Sequence, residues 1–161
     1  MTLQIEGLTK RFGAHTLFRG LELRVEGPAV LWAPSGWGKT TLLRILMGLE
    51  RPDAGSVTGV GRVAAVFQED RLCPQLTAVE NVLLVLPDGR ARRGGVEADF
   101  ARLGMTGDAL TLPAARLSGG QKRRAALLRA VWARADTRLF DEPFTGLDPA
   151  AMEQAAALLR A

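Results

Sequence analysis

Three short runs of residues in this chain could do chemistry. The first is Pro34-Ser35-Gly36-Trp37-Gly38-Lys39-Thr40-Thr41. It fits most of a phosphate-loop pattern, in which glycines let the backbone curl and turn N–H groups inward at phosphate oxygens. A helix beginning near Lys39 would aim its positive dipole end at the same point. Lys39 would then reach β- and γ-phosphates, and the Thr40 hydroxyl would ligate Mg²⁺. The second run is Thr137-Arg138-Leu139-Phe140-Asp141-Glu142-Pro143, which ends on two adjacent carboxylates. At a strand's C-terminal end Asp141 would hold Mg²⁺ through water, and Glu142 would polarise an attacking water. The third is Leu117-Ser118-Gly119-Gly120-Gln121. A Ser-Gly-Gly stretch opening a helix can receive an anion, but this one has no lysine of its own. It should complete a site rather than make one.

Taken singly, each run has an ordinary explanation: a glycine-rich turn, a surface acidic pair before a proline, a loop between helices. Their order along one chain argues against coincidence. Gln68 adds to them, because it closes the apolar run Arg62-Val63-Ala64-Ala65-Val66-Phe67 on the same expected rim. There its amide could touch Mg²⁺ or water. One residue departs from the loop pattern: Ala33 stands where the first glycine belongs. Either the position needs only smallness, or alanine pays roughly 1 kcal/mol or more for a glycine-like φ.

These residues need elements to position them. Leu3-Gln4-Ile5-Glu6-Gly7-Leu8 and Leu21-Glu22-Leu23-Arg24-Val25-Glu26 alternate and predict an antiparallel edge or hairpin pair. Ala29-Val30-Leu31-Trp32 is continuously apolar and predicts a buried parallel strand ahead of the loop. A helix from about Lys39 to Leu49 stops at Gly48 with Pro52 beyond. Thr77 and Glu80 have capping-box spacing and predict a helix from Ala78 to Pro87. Asp88 to Gly95 reads as an exposed loop, Val96 to Leu103 as a short helix ended by Gly104, and Thr77 to Arg116 together as a helical insert. A longer helix follows Gly119-Gly120, and Asp148 caps a last one with Pro149 in its first position. The fold class expected is α/β: a P-loop NTPase core with N-terminal antiparallel strands, one domain over residues 1–161.

Composition agrees. With 47% apolar residues the chain can bury a core, and 161 residues suffice for one domain rather than two full ones. A lone cysteine, Cys73, cannot form an internal disulfide and fits a reducing compartment. The start, Met1 to Glu6, lacks a secretion-signal pattern, and no apolar run approaches the roughly 18 residues of a membrane span. Net charge is +4, but the arginines are scattered and their densest groups, Arg90 to Arg93 and Lys122 to Arg124, are short. Solvated helix faces and a phosphate site account for that balance, and no nucleic-acid partner is expected.

Together these residues resemble the nucleotide-binding domain of ATP-binding cassette (ABC) transporters over nearly the whole chain. Ala33 to Thr41 is similar to the Walker A loop, Gln68 to the Q-loop, Leu117 to Gln121 to the signature motif, and Leu139 to Glu142 to Walker B. Gly146-Leu147-Asp148 resembles the D-loop, and Phe12 stands where the family places an aromatic that stacks on adenine. Val66 to Val82 resembles bacterial importer subunits of the nitrate, sulfonate and taurine group. The resemblance implies ATP and Mg²⁺ as cofactors. It implies ATP contacts from Phe12, from Pro34 to Thr41, from Ser118, Gly119, Gly120 and Gln121, and from Asp148. Thr40, Gln68 and Asp141 are the implied metal contacts, and Glu142 with Gln68 the catalytic residues. It further implies a homodimer closed head to tail, Ser118 and Gly120 of one copy facing the γ-phosphate held by the other's Lys39. A membrane permease and, indirectly, a solute-binding protein are the other implied partners. The implied location is cytoplasmic, against the inner face of the membrane through the permease.

The family also places a histidine after one more strand beyond Walker B. The only histidine here, His15, precedes every motif except the Phe12 segment, so a C-terminally shortened domain is expected. Two readings follow. One is an importer ATPase subunit that hydrolyses MgATP; the other is a shortened homologue that binds nucleotide or permease without effective turnover.

Overall fold

Gly7 is where the first strand changes phase. Leu3 and Ile5 are buried before it, and Leu8 and Lys10 after it, so the buried face moves from odd to even positions. Gly7 has φ +60, and pairing with the next strand slips between Ile5 and Leu8, the mark of a bulge. Lys10 tolerates burial because its ammonium donates to the Glu50 carboxylate at 2.7 Å and the Arg51 carbonyl at 2.8 Å.

The computed structural model describes residues 2–160; Met1 and Ala161, the ends of the expected domain, lie outside the described residues. The chain divides into two compact units, residues 1–63 and 64–161. In the first, β1 (Leu3–Phe12) and β2 (His15–Val25) form the expected antiparallel pair, both longer than their alternation suggested. A further strand, β3 (Ala54–Thr58), pairs antiparallel with β1 and gives the order β2-β1-β3. The sequence did not announce β3: its residues are almost all exposed and small or polar. Helix α1 (Lys39–Leu46) buries Leu42, Ile45 and Leu46 and ends earlier than expected. At its end the Gly48 N–H donates to Ile45 and the Leu49 N–H to Arg44, with Gly48 at φ +70. This is a Schellman close, which only a residue at ease in the left-handed region makes without strain.

The strand expected over Ala29 to Trp32 does not form. These residues carry no strand pairing, and Val30 and Trp32 are 92% and 87% exposed. An apolar run becomes a strand only when another strand offers backbone partners. Within residues 2–63 the sheet's three members are β1, β2 and β3, and none pairs with this run.

The second unit holds β4 (Val63–Val66, reaching back one residue), β5 (Thr137–Phe140) and five helices. β4 and β5 pair as a two-stranded sheet. The helices are α2 (Ala78–Leu83), α3 (Gly89–Arg102), α4 (Asp108–Thr111), α5 (Gly119–Trp132) and α6 (Pro149–Arg160), with a 3₁₀ turn at Ala114–Arg116. Their core joins Val79, Val82, Val96, Phe100, Leu103 and Met105 to Leu127 and Leu128 of α5, all essentially inaccessible. Asn81, also fully buried, is satisfied: its carbonyl oxygen accepts from the Cys73 N–H, and its amide donates to the carbonyls of Cys73, Leu76 and Thr77.

The exposed loop expected over Asp88 to Gly95 is instead the first half of α3. Glycine and arginine suggested irregular chain, but Val96 and Phe100 bury one side of the helix farther on. Gly95 lies where a Cβ would meet the Trp132 ring at 3.0 Å, so smallness there serves packing. Arg138 explains the polar start of β5. Its guanidinium donates to the carbonyls of Ala130, Val131 and Ala133, capping the C-terminal end of α5 with positive charge.

Candidate functional site

In the first unit the loop from Ala33 to Gly38 leads directly into α1. Gly38 is the residue before the helix, with φ +104 and no side-chain cap. A Cβ there would stand 2.8 Å from Leu17 and from the Phe18 ring, so a larger residue would have to displace those side chains as well as adopt a strained conformation. Phe18 is buried on β2, and its ring meets that of Trp37 at 5.2 Å between centroids. The loop is thereby braced on the three-stranded sheet. Gly36 takes φ +80, and the Trp37 N–H donates to the Pro34 carbonyl at 3.3 Å. The Lys39 ammonium donates to the carbonyls of Ala33 (2.7 Å) and Pro34 (3.1 Å).

Ala33 resolves the question its identity raised. It is not among the non-glycine residues with positive φ, which among the described residues are Arg71 and Glu142. The position therefore does not call on glycine's conformational freedom, and its backbone carbonyl serves Lys39. Phe12 ends β1 opposite His15, half exposed, with the Lys10 ammonium 5.0 Å from its ring centroid. Thr40 and Thr41 fall in the first turn of α1.

The second unit gathers residues that are far apart in sequence. Gln68 follows β4, and Asp141 follows β5; the Asp141 N–H donates to the Val66 carbonyl at 2.9 Å and extends the pairing of the two strands. Glu142 is exposed, with φ +48. Its carboxylate accepts from the Thr145 hydroxyl at 3.4 Å. Ser118 opens α5. Its hydroxyl accepts from the Gln121 N–H, and the Gln121 side chain accepts from the Ser118 N–H at 2.9 Å. This is a reciprocal capping box. The three-residue spacing of Ser118 and Gln121 is the local signal for it, beside the anion-binding glycines. Gly120 lies against the turn at Gly146, where a Cβ would be 3.5 Å from the Gly146 carbonyl. Asp148 caps α6 through the Ala151 N–H at 2.9 Å, and that bond foremost holds its carboxyl below the usual range. Arg124 reaches from α5 to the Asp148 carboxylate at 3.8 Å and to the Leu103 carbonyl at 3.0 Å.

Arg123 is the residue sequence reasoning missed. It is 2% exposed, and its guanidinium donates to carbonyls at both strand ends, including those of Asp141 and Glu142. Only its place in a short basic group was visible in the sequence.

The family pattern described as ABC transporter matches residues 21–145. The chain belongs to this family. It is 45% identical, over 92% of its own length, to the aliphatic sulfonates import ATP-binding protein SsuB 1 of Nocardia farcinica, of which it covers 61%. It is 42% identical over the same share to SsuB 2 of Paraburkholderia xenovorans, covering 60% of that protein. Against the Fe(3+) ions import ATP-binding protein FbpC 1 of Rhodococcus jostii the identity is 39%, over 91% of this chain and 47% of the relative. The chain thus spans about three-fifths of the sulfonate-named relatives. Among solved structures, a dimeric ATP-binding cassette, MJ0796 in a post-hydrolysis state bound to ADP and Pi, superposes with a TM-score of 0.80. The identity there is 25%, over 98% of this chain and 81% of that one. The expected fold class and the resemblance to importer subunits of the sulfonate group both hold. Among the described residues no helix is long and apolar enough to cross a membrane.

Proposed function

We propose that this ABC chain is the ATP-binding part of an importer's energising subunit, which binds MgATP and hydrolyses it between two copies arranged head to tail. One observation carries the reading: Gln68, Asp141 and Glu142 leave paired strands and are tied by hydrogen bonds to the helix that Ser118 opens. A carboxylate that polarises water, one that holds a metal and an amide that touches both are what phosphoryl transfer to water requires. The relatives' names, all import ATP-binding proteins, and the dimeric cassette bound to ADP and Pi support the same reading.

Each element has a task in this proposal. The glycine loop at Pro34 to Gly38 and the start of α1 cradle phosphate, and Lys39 exchanges its loop carbonyls for phosphate oxygens. Phe12 offers a half-exposed ring to adenine. Glu142 holds the attacking water in line. The Ser118 to Gln121 segment, with Asp148 beside it, meets the nucleotide held by the second copy. The Thr40 hydroxyl, the Gln68 amide and the Asp141 carboxylate are hard oxygen donors, the class Mg²⁺ takes together with water and substrate phosphates. Among the described residues there is no cluster of three or more His, Cys, Asp or Glu that would hold a metal by itself. When bound, the ion would neutralise phosphate charge there. Residues 77–116 are proposed as the helical insert of a single cassette domain. The permease and, through it, a solute-binding protein are the proposed partners, which place the chain at the cytoplasmic face of a membrane.

Phosphate release by the purified chain, beside its Glu142→Gln variant, tests the proposal. Release that disappears in the variant is expected. If wild type and variant are indistinguishable, with or without the permease, the hydrolysis reading falls. ATP binding alone would then leave a nucleotide-dependent binding module.

A further inference from the structure

The Arg123 guanidinium is a two-armed clasp. One arm, Nη1, donates to the Phe67 carbonyl at 2.5 Å, with the Gln68 carbonyl and the Asp70 carboxylate each at 3.4 Å. The other side donates from Nη2 to the carbonyls of Asp141 (3.1 Å) and Glu142 (2.5 Å), and from Nε to that of Pro143 (3.0 Å). The first set is the exit from β4, where Gln68 stands; the second is the exit from β5, where the acidic pair stands. Arg123 lies on α5, in the turn after the Ser118 capping box. Its burial leaves only 3% of the side chain exposed, so these contacts are its solvation.

A second observation concerns strain. Among the described residues, Arg71 and Glu142 are the non-glycine residues with positive φ, at +46 and +48. Both present their carbonyls to arginines of α5: Glu142 to Arg123, and Arg71 to Arg129 at 2.7 Å. Left-handed backbone at a side-chain-bearing residue persists only where its surroundings over-determine it. Here the same helix supplies that restraint on both exits.

We infer that Arg123 is a positioning residue for hydrolysis: it fixes the strained turn that aims Glu142 and ties it to the Gln68 exit, so the two move as one body with the helix that Ser118 opens. This rests on the ATPase reading for its kinetic consequence but not for its structural one. A planar fork can span two strand ends; a single ammonium cannot. The test compares Arg123→Lys and Arg123→Met with wild type by steady-state phosphate release, thermal melting and hydrogen exchange.

In both variants kcat should fall about 10- to 100-fold, the cost of misplacing a reacting group by about an ångström. KM for ATP should change by no more than about threefold, because ground-state phosphate contacts lie elsewhere. Exchange should rise together in residues 67–73 and 141–147 while the buried half of α3 stays protected. Wild-type kcat in Arg123→Lys would overturn the inference, since charge or bulk would then suffice. So would exchange that is unchanged in either segment, or that rises uniformly through the unit. If Arg123→Met does not fold, the lysine variant decides. If the wild-type chain shows no Glu142-dependent release, the ATPase reading fails and the exchange pattern alone decides on Arg123.

Discussion

Two helices in this chain begin at sites assigned to phosphate, and they begin differently. α1 starts behind Gly38, a left-handed residue that supplies no side-chain cap. α5 starts behind Ser118, whose hydroxyl and partner Gln121 close a reciprocal box on the first turn. A helix end leaves several backbone N–H groups without intrahelical partners, and something must accept from them. At α5 the chain itself provides acceptors. At α1 it provides a glycine loop, a lysine folded onto loop carbonyls, and no side-chain acceptor from the residue before the helix. The first arrangement stabilises the protein whether or not anything binds. The second has no side-chain cap from Gly38, which suits the proposed phosphate cradle. This matches the proposed division of labour, in which one end holds the nucleotide and the other is added by a second copy.

Substitutions can break this contrast, and the largest effect is expected at Lys39. Lys39→Ala should weaken ATP binding on the order of 100-fold, about 3 kcal/mol for lost charged hydrogen bonds, with little change in melting temperature. Titration with a fluorescent ATP analogue measures it. Unchanged affinity would remove the phosphate assignment from the α1 end. Gly38→Ala comes next and should act on stability. Its φ of +104 and the 2.8 Å approach to Leu17 and Phe18 predict a loss of about 1–3 kcal/mol in chemical denaturation.

Ser118 then separates capping from anion recognition. Ser118→Ala should cost about 1 kcal/mol as a lost cap. Ser118→Asp keeps a capping oxygen, so stability should stay within about 0.5 kcal/mol of wild type. Its negative charge should nonetheless abolish ATP-promoted dimers of a Glu142→Gln background, read by light scattering. Dimers that persist in Ser118→Asp would argue that this end meets no phosphate.

The smallest effect is a pH dependence. α2 opens with the same type of box as α5, but with Glu80 in place of glutamine. The Thr77 backbone N–H foremost, and then the Thr77 hydroxyl, hold the Glu80 carboxyl below the usual glutamate range. A lowered folded value means that the contribution is fully present above the unfolded pKa. It is lost as pH falls through the folded one. Melting temperature followed downward from neutral pH should therefore fall less steeply in Glu80→Gln than in wild type. The Ser118 box, which holds no titratable group, should add no such slope.

Local chemistry was legible from the sequence and tertiary partnership was not. Thr77 with Glu80, Asp148 with Pro149, and the stop at Gly48 are signals written within a few residues, and the backbone answered each. Motif order led to the family, which the match over residues 21–145 bears out. The run Ala29 to Trp32 failed as a strand prediction because pairing is a property of two segments, and apolar composition describes one. Asp88 to Gly95 failed in the opposite direction, since its glycines hid a helix whose closeness to Trp132 asks for a small residue at Gly95.

The sequence by itself determined the inventory: a loop with its lysine, an acidic pair, a serine-glycine helix start, and the α/β class that must carry them. Those follow from residue types at fixed short spacings, where covalent geometry leaves few choices. Only the tertiary structure decided that Ala33 needs no glycine, that Glu142 sits in a strained turn, and that Arg123 binds that turn to the Gln68 exit. A guanidinium's value lies in which carbonyls surround it, and those carbonyls come from strands separated by most of the second unit.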